Sequence, residues 1–283
     1  MTKNFSIHAN QTILRYFKIQ YKHLRAETNV RMSFSYDRLE RERERMSKYC
    51  FDAAAGVVSL AVHSRPNIRF PIRRVFCVGQ NYQAHAREMG SAKADPFFFS
   101  KPTDAVVDLT RSTHIHVPLA TADYQHEVEL VVALGEGVAH GLSLTPEEAG
   151  HAIWGYAIGL DMTCRDLQAE AKKNGRPWDL AKGADESAPI GPVFPRESLD
   201  STGVPASNGS IRLMVNGEQR QVGHLSDMTL KPPELIAFLS KYVRLKPGDL
   251  IFTGTPAGVG SVAKGDVVVA QIAGLDEIKV TIQ

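Results

Sequence analysis

Two glutamates, Glu127 and Glu129, have a spacing that could support metal chemistry. They lie in an apolar run with strand-like alternation, and on a strand the side chains of residues i and i+2 project from one face. Two carboxylates that enter an apolar face repel each other and lose hydration unless a cation compensates them. The pair therefore predicts either a metal site or an exposed pair at the end of a strand.

Asp161 adds a third carboxylate, placed between a predicted strand at 154–160 and a predicted helix. Three carboxylates, in a chain without a thiolate metal motif, form an oxygen site suited to Mg²⁺ or Mn²⁺ rather than zinc. His114 and His116 would share a strand face and are the rival pair for zinc. Because no third ligand matches them, an exposed or packed strand is the preferred interpretation.

His85 and Glu88 lie in a polar segment, residues 81–90, after the first strong strand pattern. If the segment is helical, both side chains lie on one face within hydrogen-bonding reach. A carboxylate behind an imidazole fixes its tautomer and raises its basicity, which is how water is activated as a nucleophile. Taken alone, the pair is more typical of an ordinary surface contact.

Three other residues near Asp161 could form an anion clamp. Arg165 and Gln168 lie on the helix predicted after it, and Lys182 follows that helix. A glycine-rich loop at 253–260 offers backbone N–H groups and hydroxyls to an anion, although it lacks the Gly-Lys-Ser/Thr ending of a P-loop. Each feature alone also fits a surface residue or a turn.

The elements that must position these residues are mainly strands, because short apolar runs recur between Gly, Pro and Asn from Arg73 onward. Strands are predicted at 73–78, 97–100, 114–117, 125–134, 154–160, 211–215, 249–253, 267–271 and 277–282. Asn216-Gly217 predicts a hairpin turn. Helices are predicted after a capping box at Thr145, at 163–174 and at 232–243. Many strands with few helices favour a mixed α+β fold, with a sheet curled into a roll or barrel.

Composition narrows the classes of function. The 283 residues carry a net charge of +2, which is too small to indicate a nucleic-acid or membrane partner. The three cysteines, Cys50, Cys77 and Cys164, have no Cys-x-x-Cys spacing and suit a reducing compartment. No apolar run reaches the roughly 18 residues of a membrane-spanning helix. A cytoplasmic protein is predicted.

The first fifty residues differ from the rest. They are basic and acid-poor up to Ala26, which would also fit a mitochondrial transit peptide. An alternating charge run follows at 38–45, and Met46 is a candidate initiator. We predict an extension at 1–50 that is disordered or not native, a lead-in segment at 51–72 and a catalytic domain at 73–283.

A series of short motifs, in one order, resembles the fumarylacetoacetate hydrolase family and most of all its fumarylpyruvate hydrolases. The motifs are Val78-Gly-Gln-Asn-Tyr82 with His85 and Glu88, Phe99-Ser-Lys-Pro102, His126-Glu-Val-Glu-Leu130, Gly159-Leu-Asp-Met-Thr-Cys-Arg-Asp166, Lys172-Lys-Asn-Gly-Arg-Pro-Trp178, Ala181-Lys-Gly183 and Thr253-Gly-Thr-Pro-Ala-Gly-Val-Gly260. The resemblance covers the chain from about Arg73 to its end. Gln80 departs from the arginine that many members carry there.

The resemblance implies a β-roll, a homodimer and one Mg²⁺ or Mn²⁺ per subunit, and it gives each candidate residue a role. The metal would be held by Glu127, Glu129 and Asp161. The water-activating dyad would be His85 and Glu88. The pyruvoyl end of a small anionic keto acid would be contacted by Lys182, Arg165 and Gln168, and its carboxylate by Thr255.

The implied activity is hydrolysis of a carbon–carbon bond in an acylpyruvate, with fumarylpyruvate giving fumarate and pyruvate in gentisate-type aromatic catabolism. An oxaloacetate decarboxylase or tautomerase, or a general acylpyruvase, is the alternative. A member that binds a metabolite without catalysis is the second alternative.

Overall fold

The computed structural model describes residues 57–84, 97–138, 141–199 and 209–283. The predicted extension at 1–50 lies outside these residues and stays a prediction. Within the described ranges, none of the helices has both the length and the apolar character that crossing a membrane requires.

Strands dominate the described part of the chain. In chain order they are β1 (Ser59–Ala61), β2 (Arg69–Pro71), β3 (Arg74–Gly79), β4 (Phe97–Lys101), β5 (Val106–Asp108), β6 (His114–Ile115), β7 (Tyr124–His126), β8 (Val128–Leu134), β9 (Ile153–Leu160), β10 (Thr163–Cys164), β11 (Ala188–Ile190), β12 (Phe194–Pro195), β13 (Ser210–Val215), β14 (Glu218–His224), β15 (Asp249–Phe252), β16 (Gly260–Ser261), β17 (Val267–Ile272) and β18 (Ile278–Ile282). The α-helices are α1 (Pro146–Ala152), α2 (Arg165–Lys173), α3 (Asp179–Lys182) and α4 (Pro232–Leu239).

The main sheet is mixed and has the order β4-β3-β15-β8-β9-β11-β5, with β12 also paired to β9. The pairs β15–β3 and β11–β5 are parallel, whereas β8 is antiparallel to both of its neighbours. A second sheet has the order β14-β13-β17-β18-β6, and two small sheets are β10-β7-β16 and β1-β2. The predicted strand-rich α+β fold is confirmed.

Strand β8 separates two apolar cores, and all seven of its residues are buried. Val128, Leu130 and Val132 pack into the larger core, which also contains residues of β13 and β17. Val131 and Ala133 pack into a second core together with residues of β1, β2 and β15. The alternation predicted for this strand is therefore confirmed, and burial on both faces explains its continuous apolar run.

The capping box predicted at Thr145 and the turn predicted at Asn216-Gly217 are confirmed. The Thr145 hydroxyl accepts a hydrogen bond from the Glu148 N–H, and the Glu148 carboxylate accepts one from the Thr145 N–H, before Pro146 opens α1. Asn216 and Gly217 have φ values of 52° and 81°, as the hairpin turn between β13 and β14 requires.

Three predicted boundaries are wrong. The strand predicted at 125–134 is interrupted at Glu127, because β7 pairs with β10 and β16 rather than with the main sheet. Helix α2 begins at Arg165, and Thr163 belongs to β10, where its hydroxyl bonds Glu127 instead of capping the helix. Helix α4 ends at Leu239 rather than at residue 243.

Candidate active site

Three buried carboxylates meet at the end of the main sheet. Glu127 lies between β7 and β8, Glu129 is the second residue of β8, and Asp161 follows β9. The pairing of β8 with β9, extended by a 2.9 Å hydrogen bond from the Asp161 N–H to the Glu127 carbonyl, sets them side by side. One oxygen from each lies within 4.8 Å of the others, and the side chains are at most 5% exposed.

The carboxylates repel one another in a site that is cut off from water. Burial, followed by the charges of Asp161 and Glu127, raises the pKa of Glu129 well above its usual range. Its Oε2 accepts a 2.6 Å hydrogen bond from the Gly254 N–H. Asp161 Oδ1 is buried and lies 2.9 Å from Lys101 Nζ, an ion-pair contact that lacks hydrogen-bond geometry. A hard divalent cation would relieve the repulsion and use this oxygen, so the donor set fits such an ion.

Lys182, the last residue of α3, bridges two of the carboxylates. Its Nζ donates to Glu127 Oε2 at 2.9 Å and to Asp161 Oδ2 at 2.8 Å. Burial acts to lower the pKa of Lys182, but Asp161 and Glu127 outweigh it and the pKa is raised. The side chain therefore stays a buried ammonium at the wall of a cavity.

Arg165 and Gln168 form the adjacent wall on α2. Arg165 Nη2 donates to Glu127 Oε1 at 2.5 Å, Nη1 donates to Gln168 Oε1 at 2.7 Å, and Nε donates to Gln125 Oε1 at 2.8 Å. Because this contact uses the carbonyl oxygen of Gln168, the amide nitrogen is the end available to a ligand. Both residues line the cavity.

Thr255 lies in the glycine-rich loop after β15 and also lines the cavity. Its hydroxyl donates to the Val128 carbonyl at 2.7 Å and accepts from Gln221 Nε2 at 2.8 Å. The hydroxyl hydrogen is thus used by the main chain of β8. The predicted contact with a substrate carboxylate would require this hydrogen to turn away from Val128.

Two residues of the site were not among the predicted site residues: Lys101 lies in the Phe99-Ser-Lys-Pro102 motif but was given no role, and Gln221 lies in none of the motifs. Lys101 Nζ is buried 2.9 Å from Asp161 Oδ1 and donates to the carbonyls of Met162 and Lys182. Gln221 on β14 accepts through Oε1 from the Val128 N–H at 3.1 Å and from His126 Nδ1 at 3.0 Å. Since Gln221 Nε2 donates elsewhere, the proton of His126 is on Nδ1.

The other residues named from the sequence have different outcomes. His85 and Glu88 fall outside the described residues, and their dyad stays a prediction. Gln80, in a left-handed conformation with φ of 64°, lines the cavity. His116 Nδ1 contacts Glu186 Oε2 at 2.9 Å on the surface. Among the described residues, the acidic triad has the spacing of metal ligands. His114 and His116 do not belong to such a group.

Comparisons with known proteins show the family of the chain. Residues 74–283 match the family model described as fumarylacetoacetate (FAA) hydrolase C-terminal. Oxaloacetate tautomerase YcgM of Escherichia coli (strain K12) is 43% identical over 198 residues, which are 70% of this chain and 87% of that protein. Fumarylpyruvate hydrolase of a Ralstonia species is 37% identical over 196 residues, which are 69% of this chain and 97% of that protein.

A solved structure is similar in both fold and sequence. The crystal structure of fumarylpyruvate hydrolase from Pseudomonas aeruginosa, in complex with Mn²⁺ and pyruvate, has a TM-score of 0.76 and 42% sequence identity. The match covers 83% of this chain and 98% of that chain. By its family domain, its fold and its buried acidic triad, the chain belongs to the fumarylacetoacetate hydrolase family.

Proposed function

We propose that the protein is a metal-dependent acylpyruvate hydrolase, and that fumarylpyruvate is its substrate. The observation that carries the proposal is the buried triad of Glu127, Glu129 and Asp161 with the Lys182 ammonium bridging two of its members. The likeness to a fumarylpyruvate hydrolase solved with Mn²⁺ and pyruvate supports the same substrate class. Mg²⁺ or Mn²⁺ would be held by the three carboxylates and, when bound, would supply Lewis-acid polarisation of the keto-acid oxygens.

The residues around the triad suit the pyruvoyl end of the substrate. The Gln168 amide nitrogen and the Arg165 guanidinium orient an anion against the cavity wall. Lys182, which contacts Glu127 and Asp161, would stabilise the negative charge that develops on a departing pyruvate enolate. A buried, preorganised ammonium stabilises such charge without solvent reorganisation.

Water activation is assigned to the His85–Glu88 pair. An imidazole nitrogen of His85 takes a proton from water, and Glu88 stabilises the resulting imidazolium, a type of role worth about 10²–10⁴-fold in rate. The hydroxide adds to the carbonyl carbon of the acyl group. The bond between that carbon and the methylene carbon then breaks, and the electron pair leaves with pyruvate as its enolate. The enolate takes a proton back at the methylene carbon, so one water is consumed and fumarate and pyruvate are released.

An oxaloacetate tautomerase is the second candidate, because the relative in Escherichia coli is 43% identical and carries that name. Enolisation would use the metal site and Lys182 without an attacking water. It would therefore depend less on His85 and Glu88. A metabolite-binding member without catalysis is the third candidate, and it would show no turnover at all.

The test is product analysis on the full chain after metal removal. Fumarylpyruvate, acetylpyruvate and oxaloacetate are each incubated with Mg²⁺, with Mn²⁺ and with EDTA, and the products are separated by chromatography. We expect equal amounts of pyruvate and fumarate from fumarylpyruvate with metal, and none with EDTA. Failure to release pyruvate from either acylpyruvate with either metal would overturn the proposal, and rapid keto–enol exchange of oxaloacetate in the same samples would favour the tautomerase.

A further inference from the structure

Helix α2 carries a polar stripe from the buried triad to the surface. Arg165, Gln168 and Lys172 are spaced i, i+3 and i+7, so they lie on one face of the helix, and all three line the cavity. Gln168 is only 3% exposed, whereas Lys172 is exposed. At 1.5 Å per residue, the stripe is about 10 Å long between Arg165 and Lys172.

Aromatic rings occupy the wall beside the stripe. The Trp178 ring lies 5.1 Å from Phe97 in an edge-to-face contact and 5.9 Å from Phe99, and the three rings line the cavity. Lys172 Nζ lies 5.2 Å from the centre of the Trp178 ring. The cavity is therefore charged at its inner end, aromatic along one wall, and positive at its outer end.

Lys172 differs from the other cations near the triad in its charged neighbours. The other three cations near the triad each contact one or two of its carboxylates: Lys101 contacts Asp161, Arg165 contacts Glu127, and Lys182 contacts both. Within the described ranges, no carboxylate lies in ion-pair distance of Lys172. Partial burial, together with the nearby charge of Arg165, lowers the pKa of Lys172. The outer end of the cavity thus has a positive charge that the described carboxylates do not neutralise.

We propose that Lys172 binds the far carboxylate of a dicarboxylic substrate and sets the preference of this site for keto acids with an anion at both ends. The aromatic wall of Phe97, Phe99 and Trp178 would pack against a flat unsaturated segment between the two anions. The proposal deepens the proposed function and rests on it, because the α-keto acid end is taken to lie at the triad. Lys172 is here a specificity-determining residue that acts on the non-reacting end of the substrate.

A binding measurement tests the proposal without turnover. The probes are 2-oxoheptanedioate and 2-oxoheptanoate, which share an α-keto acid and the chain length of fumarylpyruvate and differ in the far carboxylate. Both lack a second keto group, so neither is an acylpyruvate. For the Mg²⁺-loaded wild-type chain, calorimetry should give a lower Kd for 2-oxoheptanedioate by about five- to tenfold.

Variants on neighbouring positions of one helix give a matched comparison. Lys172→Gln should reduce the preference to less than about twofold, and Lys172→Arg should keep most of it. Lys173→Gln removes the same charge from the next residue, which is exposed and does not line the cavity, and should leave the preference unchanged. Equal loss in both glutamine variants would show a general charge effect and overturn the proposal, as would a wild-type chain without any preference.

A kinetic readout separates this inference from the proposed function. In Lys172→Gln, kcat/KM for fumarylpyruvate should fall about tenfold relative to that for acetylpyruvate, mainly through KM. If the wild-type chain cleaves both acylpyruvates and this ratio does not move in the variant, the role of Lys172 is wrong while the proposed function stands. If the wild-type chain cleaves neither, the proposed function fails, and the binding comparison still decides the role of Lys172.

Discussion

A buried carboxylate lies near each end of β15, and the two differ in the charge of their neighbours. At its start, the fully buried Asp249 accepts hydrogen bonds from Arg73 at 3.0 Å, from Arg74 at 2.8 and 3.1 Å, and from the Lys246 N–H at 2.9 Å. Beyond its other end, the Gly254 N–H donates to Glu129, whose nearest charged neighbours include two more carboxylates.

The pairing of a buried carboxylate with protein cations distinguishes a structural carboxylate from one that binds a ligand. A buried charge is costly unless it is paired and hydrogen-bonded. The protein itself supplies partners for Asp249, so that end of β15 is complete. Around Glu129 the repulsion is left in place, and the raised pKa of Glu129 is its electrostatic consequence. We infer that the second end is completed by a divalent cation.

The largest effect is expected from Glu129→Gln. The substitution keeps the shape of the side chain and an oxygen for the Gly254 N–H, but it removes one metal-ligating charge. Turnover of fumarylpyruvate should fall by about 10³-fold or more, while the Tm of the metal-free protein stays the same or rises because like-charge repulsion is relieved. Steady-state assays and thermal unfolding in EDTA would check both parts, and a large fall in the metal-free Tm would contradict the comparison.

Lys182→Met should damage both activity and stability. Turnover should fall by about 10²–10³-fold because a preorganised ammonium is lost beside the reacting atoms. The metal-free protein should lose about 3–5 kcal/mol of unfolding free energy, since Glu127 and Asp161 are left as buried charges without this partner. Added Mg²⁺ should restore part of that loss in denaturant unfolding, and an equally stable metal-free variant would refute the assigned electrostatics.

Asp249→Asn should lower stability and leave activity nearly unchanged, which is the reverse of the effects expected for Glu129→Gln. It leaves Arg73 and Arg74 without a carboxylate, but both side chains are about one third exposed, at 38% and 32%, and water screens them. We therefore expect a loss of about 1–3 kcal/mol in unfolding free energy. The folded fraction should keep kcat within about twofold. A large fall in kcat without loss of stability would show that this end of the strand is not purely structural.

The smallest expected effect is that the stabilisation of the folded protein by Mg²⁺ depends on pH. The pKa of Glu129 is raised above its ordinary value of 4.5 in the metal-free fold, so the folded chain binds this proton more tightly than the unfolded chain. Its contribution to stability is present below about pH 4.5 and is lost as pH rises through the raised pKa. The gain in Tm on adding Mg²⁺ should therefore increase as pH rises from about 4.5 through this raised pKa.

Glu129→Gln is the control for this pH dependence, because it removes the titrating group. The gain in Tm should then be smaller and flatter across the same range. A gain in the wild-type chain that does not change with pH would mean that the proton on Glu129 and the metal do not compete.

Much of the fold could be predicted from patterns of residues that are close together in the sequence. The alternation around Glu127 and Glu129 predicted both faces of β8 and the meeting of two carboxylates. Turn and cap residues located the start of α1 and the hairpin at Asn216-Gly217. Asp161 was recognised because it follows a strand and precedes a helix. Each of these features depends on residues within a few positions of each other.

The features that were missed depend on contacts far apart in the sequence. The break at Glu127 comes from pairing of β7 with β10 and β16, which no pattern within the strand encodes. Lys101 contacts Asp161, which is 60 residues away in the sequence. Gln221 accepts a hydrogen bond from the Val128 N–H, which is 93 residues away. The residues on either side of Lys101 or Gln221 do not indicate which distant residue the side chain will contact.

The most direct test is a metal titration of the stripped protein, followed by the loss of the diketo-enol absorbance of fumarylpyruvate. We predict no turnover in EDTA, saturable recovery with Mg²⁺ or Mn²⁺ in the wild-type chain, and almost no recovery in Glu129→Gln. Turnover in EDTA at the metal-loaded rate, or equal recovery in Glu129→Gln, would contradict a metal held by the triad at the centre of the reaction.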